Sequence, residues 1–497
     1  MKSINLYKQQ IDNMKPLRAL AVALILSTAA ASCSKTTPTP NPGEKEELSV
    51  SPASLKFTKD GGTQSLTVKI EGTWSTTVEG TWVKLSQFGG GDLDGTIDVT
   101  VPANMEEART ATIKFTCGTK TASVSVSQDA GFSDDGIKKI TISEFRSLPD
   151  STTDWYRLVG EVVSISKEEY GDLYLLDETG YIYVYGLAPE KGGANEDFPK
   201  IGIKAGDRIT IVALKKTYNG IIETDKAYFE AKQPGDYPGY KADKAKAGYI
   251  ELPATSEKDG LSYLCHLDGT GKRNYSAYFD TEKRLSTWVC YPYCSSDKND
   301  ARPDSYAYDP LIEPEYQADL TKSYQKRSFG GEEFIRGHMM PNASRGGRRQ
   351  LDAFLASNIM PQSSSLNTGI WSSLETKERT WVNNCDTLYI VVGTDCSKSQ
   401  YQVEDNASSP KKITVPNAIW RAVLAYNKKD NSYIGLAAYF DNKSNSNKSF
   451  SKTLPETMLM SIDELEEKLG IDLYVNLPAD VQTKVEAQNP RDESWWW

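Results

Sequence analysis

Phe334-Ile335-Arg336-Gly337-His338-Met339-Met340-Pro341-Asn342 carries one of only two histidines in the chain. Ser357-Asn358-Ile359-Met360-Pro361-Gln362 follows, then Leu366-Asn367-Thr368-Gly369-Ile370-Trp371, then Leu374-Glu375 and Arg379. A histidine next to an arginine, backed by an asparagine, a glutamate and a second arginine at helical spacing, suits cleavage of a phosphodiester. That chemistry needs an activated water, a counter-charge for phosphate and a stabilised leaving oxygen. An unperturbed imidazole, with a pKa near roughly 6.5, is mostly neutral at pH 7 and can serve as the base. Gly337 lets the backbone come close to a phosphate, and Arg336 can meet phosphate oxygens as a bidentate fork.

The segment after residue 366 is expected to be helical. Asn367, Trp371, Glu375 and Arg379 then recur every four residues and drift slowly around one side. Asn367 offers a neutral oxygen and Glu375 a carboxylate. Magnesium keeps several waters and asks for few protein ligands, so the sparse set is sufficient. Manganese is the alternative ion.

In this order the residues closely resemble the DNA/RNA non-specific endonuclease family, whose active site is of the ββα-metal kind. The resemblance covers nearly all of residues 248–490. It includes Trp288, Val289, Cys290, Tyr291 and Pro292, the run from Asp386 to Gly393, and Val415-Pro416-Asn417-Ala418. Gly470 to Tyr474 and Leu477-Pro478 also fit. The resemblance implies His338 as general base and Asn367 as direct magnesium ligand. It implies Glu375 holding a metal-bound water, Arg336 and Arg379 contacting phosphate, and Asn358 supporting the site. There is one departure: the family pattern is Asp-Arg-Gly-His, and Ile335 stands in the place of the aspartate.

At 497 residues the chain is expected to form two to four domains. Its net charge of −10 rules out a global basic field, so a nucleic-acid site must be local. Lys322, Lys326, Arg327, Arg336, Arg345, Arg348 and Arg349 outnumber Glu332 and Glu333 across the signature region, which makes it locally basic.

Residues 48–130 alternate apolar with polar in short runs separated by glycine-rich turns, which predicts an all-β, Ig-like sandwich. The opening run from Leu48 to Phe57, Trp74, Trp82-Val83 and the closing Val124 to Gln128 resemble the BACON domain. That resemblance implies glycan contact, a spacer role being the alternative; Trp74 and Trp82 are read as packing residues. Residues 138–233 predict a second β unit that looks like an OB-fold barrel. Its alternating Tyr181, Tyr183 and Tyr185 either stack bases or pack against a neighbour. Residues 233–247 read as a linker, and 248–490 as an α+β nuclease domain with a helix capped by Ser461 and Glu464.

Residues 1–32 carry Lys2, Lys8, Lys15 and Arg18 ahead of an apolar stretch that ends Ala30-Ala31-Ser32-Cys33. This reads as a signal peptide and resembles a bacterial lipobox, which implies lipidation of Cys33. Residues 33–47 form a tether, giving an exported lipoprotein at the outer membrane. Cys385 and Cys396, flanking a strand-like run, are plausible disulfide partners in an exported protein. Cys290 and Cys294 lack companion histidines for zinc. His266 is read as structural, and the apolar tail 495–497 has no assigned purpose. The expected activity is a membrane-anchored, magnesium-dependent endonuclease with little base specificity, acting on DNA and RNA. The alternative is a non-catalytic glycan-binding lipoprotein with a relic nuclease fold.

Overall fold

A computed structural model describes residues 47–497 apart from 133–134, 243–247, 256–259, 298–301, 304 and 408. The leader, Cys33 and nearly all of the tether lie outside the described residues. Among the described residues no helix is long and apolar enough to cross a membrane.

The first unit is built from two facing sheets. One runs in the order Glu47–Ser51, Gly62–Glu71, Leu93–Val101, Lys84–Leu85; the other runs Ser54–Phe57, Lys120–Gln128, Arg109–Cys117, Trp74–Val78, Gly89–Gly90. Alternation along each strand sends Leu66, Val68, Ile70, Ile113, Phe115, Val124 and Val126 into one core. Trp74 packs there against Phe115, while Trp82 lies beneath the Arg109 guanidinium.

The second unit is a closed five-stranded barrel. Strands β1 (Tyr156–Lys167), β2 (Asp172–Asp177) and β3 (Gly180–Val184) pair in sequence. Strands β4 (Arg208–Tyr218) and β5 (Ile221–Gln233) pair with each other, β5 runs parallel to β3, and β4 returns to β1. Leu173, Leu175, Ile182 and Val184 fill the barrel, so the alternate residues Tyr174, Tyr181 and Tyr183 face outward. They do not stand free. Tyr174 and Tyr181 are buried with Val163 against Leu351 of the third unit, with Tyr183 packed on them. The Tyr174 hydroxyl donates to the Pro303 carbonyl at 2.5 Å. The tyrosine face is therefore mainly a domain contact, and only Tyr185, 50 % exposed, remains open for stacking.

The third unit centres on an eight-stranded antiparallel sheet. Its middle strands are β6 (Leu261–Leu267), β7 (Arg273–Asp280), β8 (Leu285–Tyr293), β11 (Thr387–Asp395), β12 (Ala418–Asn427) and β13 (Ser432–Asp441). Two more strands, β9 (Glu332–His338) and β10 (Ile359–Ser363), form a separate antiparallel pair, and helix α1 (Ser372–Trp381) follows. Helices α2 (Ile462–Leu469) and α3 (Ala479–Glu486) pack on β13. The sheet is covered on both faces, which explains why β12 reads as a near-continuous apolar run. Ile390, Val392, Ile419, Val423 and Leu436 share one core with Met339, Ile359, Trp371 and Leu374. Val391, Trp420, Ala422 and Leu424 share the other with Ile462, Leu465 and Val485. The site strands and α2–α3 therefore sit on opposite faces.

The Ser461–Glu464 capping box forms as expected. The disulfide expectation does not hold: Cys385 and Cys396 are free thiols. They bracket β11, whose nine residues hold their ends roughly 30 Å apart. The C-terminal tail has a structural role. Trp496 is fully buried, its ring meets Trp381 at the end of α1 at 4.8 Å, and its carbonyl accepts from the Trp381 indole at 3.1 Å. Trp496→Ala is expected to cost about 3–5 kcal/mol in urea unfolding, the range for emptying a buried tryptophan site.

Candidate active site

The site starts from the β9–β10 pair. Register pairs His338 with Ile359, Arg336 with Pro361 and Ile335 with Gln362. Alternation therefore puts Arg336 and His338 on one face and Ile335 on the other. The carboxylate missing at Ile335 belongs to the face away from the imidazole. There Ile335 adjoins the Gln362 amide, which is buried without a hydrogen-bond partner among the described residues. The Gln362 side chain also fills the space that a Cβ at Gly337 would need, so glycine is required by close approach.

His338 is 8 % exposed, and its Nε2 has no hydrogen-bond partner among the described residues. Its ring stands edge-on to Phe354 at 4.8 Å and tilted to Tyr306 at 5.7 Å. Tyr306 gathers two cations: the Arg336 guanidinium lies 3.7 Å over its ring, and Arg302 donates to its hydroxyl at 3.2 Å. Burial, then Arg302 and Arg336, hold the imidazole down to about 3. It is thus neutral through the physiological range. The unfolded chain regains an ordinary histidine, so below about pH 6.5 it takes up a proton that the fold refuses. His338 therefore contributes stability above that pH and withdraws it as the pH falls toward 3. With two histidines in the chain, imidazole ¹⁵N shifts should show one that stays neutral down to about pH 4.

Asn358 is fully buried and fixes the turn after His338. Its amide donates to the carbonyls of Met340 and Ala353 at 2.9 and 2.7 Å, and its oxygen accepts from the Met340 amide at 2.8 Å. It acts as a positioning residue for that turn.

The helical expectation needs a correction. A helical turn at Ser364–Leu366 passes into a wide turn at Asn367–Trp371, kinked at Gly369 (φ −101, ψ −117), and regular helix resumes at Ser372. Glycine tolerates that conformation, and the break lets Trp371 bury completely while Asn367 stays half-exposed. The Asn367 amide has no side-chain partner among the described residues. Glu375 is half-buried on α1; burial raises its pKa, with Arg421 and then Arg379 opposing. Arg379 donates to Thr376 Oγ1 at 2.9 Å, on the outer part of the helix.

One residue joins the two halves. Arg421, on β12, lies 4.3 Å over the Trp371 ring. Its Nη2 donates to the Met339 carbonyl at 2.9 Å and stands 3.8 Å from Glu375 Oε1. Its Nη1 donates to both Glu378 oxygens at 3.0 and 3.1 Å. The backbone just past His338 and the Glu375 carboxylate are therefore both within 4 Å of one guanidinium nitrogen. Sequence reasoning passed over Arg421, Glu378, Arg302 and Tyr306. The signal for Arg421 was present: a single charge inside an apolar strand is kept only when paired. Arg302 lies in a loop with no periodicity to mark it.

The locally basic run is not an open patch. Arg345 and Arg348 are buried, Arg349 pairs with Asp297, and Arg327 pairs with Glu333. Arg345 bonds Asn274 and the Pro292 carbonyl, and Arg348 reaches Glu161 of the barrel. These cations are used to join elements. His266 lies 3.0 Å from Asp309 in a fully buried pair, in keeping with a structural role.

The fold is that of a multi-domain, mostly β protein. Residues 261–480 match the DNA/RNA non-specific endonuclease family, and residues 72–129 match the BACON family of N-terminal binding domains. A nuclease of Nostoc is 27 % identical over 229 residues, covering 44 % of this chain and 77 % of the relative. A nuclease of Serratia marcescens is 25 % identical over 218 residues, covering 43 % and 77 %. The mitochondrial nuclease EXOG of Xenopus laevis is 25 % identical over 242 residues, covering 46 % and 65 %. A solved structure of the EndoG/EndoGI complex aligns with a TM-score of 0.33 at 17 % identity, over 42 % of this chain and 85 % of that one. The C-terminal domain belongs to the DNA/RNA non-specific endonucleases.

Proposed function

We propose that this chain is an exported, lipid-anchored, magnesium-dependent endonuclease that cuts DNA and RNA with little sequence preference, using a ββα-metal site made of β9, β10 and α1. The observation that carries this reading is the buried, neutral His338 Nε2, without a hydrogen-bond partner among the described residues and beside two arginines, tied through Arg421 to the helix bearing Glu375. A buried polar atom left without a partner calls for a reason, and proton exchange with substrate supplies one.

His338 takes the proton of the water that attacks phosphorus. Arg336 and Arg302 meet the phosphate oxygens on that side, and Arg379 meets them from α1. The Asn367 amide oxygen and the Glu375 carboxylate are hard oxygen donors, the first without a side-chain partner among the described residues, and they fit a magnesium or manganese ion. The ion, when bound, supplies charge stabilisation at the phosphate and the departing oxygen. Contacts to backbone phosphate carry no sequence information, which suits a degradative enzyme. The sequence features at residues 1–33 support export and anchoring through Cys33, and the BACON domain supports contact with surface carbohydrate.

The test is cleavage of plasmid and of RNA. Magnesium should support both, and chelator or Asn367→Ala should abolish both. Cleavage that persists in chelator would overturn the metal assignment.

A further inference from the structure

On the sheet face opposite the nuclease site, α2 and α3 bring three carboxylates together. Asp463 and Glu466 project from α2, and Glu486 is the last residue of α3. One oxygen from each lies within 4.8 Å of the others. Asp463 is at the exposed rim and Glu466 is half-buried, whereas Glu486 is only 4 % exposed. Glu486 Oε1 is buried and has no hydrogen-bond partner among the described residues. A buried carboxylate oxygen with neither donor nor cation is costly. Glu466 receives one bond, from the Leu473 amide at 2.6 Å. Burial, then Asp472 and Asp463, push Glu466 up to about 7, the Leu473 amide opposing; burial, then Glu466, pushes Glu486 up to about 8, with a Gln482 hydrogen bond to the carboxylate opposing.

Such a cluster must take up protons or a cation. Calcium binds oxygens at about 2.3–2.6 Å, so two of its ligands stand at most about 5 Å apart. Magnesium, at about 2.0–2.1 Å, demands near-ideal octahedral order. Three oxygens within 4.8 Å of one another can share one hard divalent cation, and the flexible coordination that calcium accepts suits a set placed by two separate helices. We propose that Asp463, Glu466 and Glu486 form a calcium-class cation site, separate from the nuclease centre, that clamps α2 to α3. The site is independent of the nuclease reading. Calcium would supply the charge that the buried Glu486 oxygen lacks, and waters would complete its coordination at the open Asp463 rim.

The experiment uses the full chain carrying Asn367→Ala, which disables the proposed nuclease metal position. After dialysis against chelator, calorimetric titration with calcium chloride should show one equivalent bound. Calcium should raise the melting temperature, with magnesium much weaker. Adding Asp463→Asn or Glu486→Gln should weaken calcium at least tenfold and remove the thermal shift. Asp463 lies at the surface, so its variant keeps the test valid if Glu486→Gln fails to fold. With Asn367 intact, Asp463→Asn should cut plasmid at the parent rate, which separates this site from catalysis. The proposal is overturned if the Asn367→Ala protein binds no calcium, or if both added substitutions leave calcium binding unchanged.

Discussion

His338→Ala is expected to slow phosphodiester cleavage by about 10²–10⁴-fold, the contribution of a positioned general base. The loss should fall on kcat with KM little changed, because the imidazole acts on the attacking water and Arg336 and Arg302 still hold phosphate. The fold should survive. The substitution removes a buried ring nitrogen that has no partner among the described residues, which offsets part of the packing loss. Single-turnover rates on a defined oligonucleotide check this, with circular dichroism showing that the variant is folded. A variant that cuts at the parent rate would remove His338 from the chemistry.

Arg421→Met is expected to destabilise the fold strongly. It strands Glu378, which is buried and held by two bonds from that guanidinium. Breaking a buried pair from one side costs about 3–5 kcal/mol, whereas replacing both partners by apolar groups is far milder. Burial already pushes Glu378 up to about 7 against the pull of Arg421. Without Arg421 it would rise further, so the fold would hold a proton that the unfolded chain releases near about pH 4.3. Parent and variant both lose stability at Glu378 as pH climbs from about 4.3, so between pH 4 and 8 the defect should stay level until about pH 7, where the parent carboxylate ionises, and grow above it. Denaturant midpoints across that range would show it, and Arg421→Met with Glu378→Met should recover most of the loss. Activity should fall in the single variant as well, since the same guanidinium fixes the Met339 carbonyl beside His338. Equal damage in single and double variants would mean that the pair is not the source of the effect.

The sandwich and the barrel were legible because period-two alternation and glycine turns are local signals. The likeness of the C-terminal domain to a nuclease family was legible because the arginine-histidine stretch and the residues behind it carry unusual residue types in a fixed order. Three features were not. The kink at Gly369 accompanies a Trp371 ring buried under Arg421, a contact between residues fifty apart in the chain. The tyrosine face of the barrel looked available for bases because Leu351 and Pro303, which cover it, come from another domain. The basic run looked like surface because sequence does not show that Arg345 and Arg348 turn inward to carbonyls and carboxylates. In each case the deciding partner is distant in sequence, and local pattern carries no information about it.

The central claim is that the His338 turn and the Asn367–Glu375 segment form one catalytic site. Plasmid nicking rates of the parent, His338→Ala, Asn367→Ala and the double variant test it most directly. If both residues serve one reaction, each single variant is at least about a hundredfold slow and the double is scarcely slower than the worse single. Losses that multiply, or a single variant at the parent rate, would contradict it.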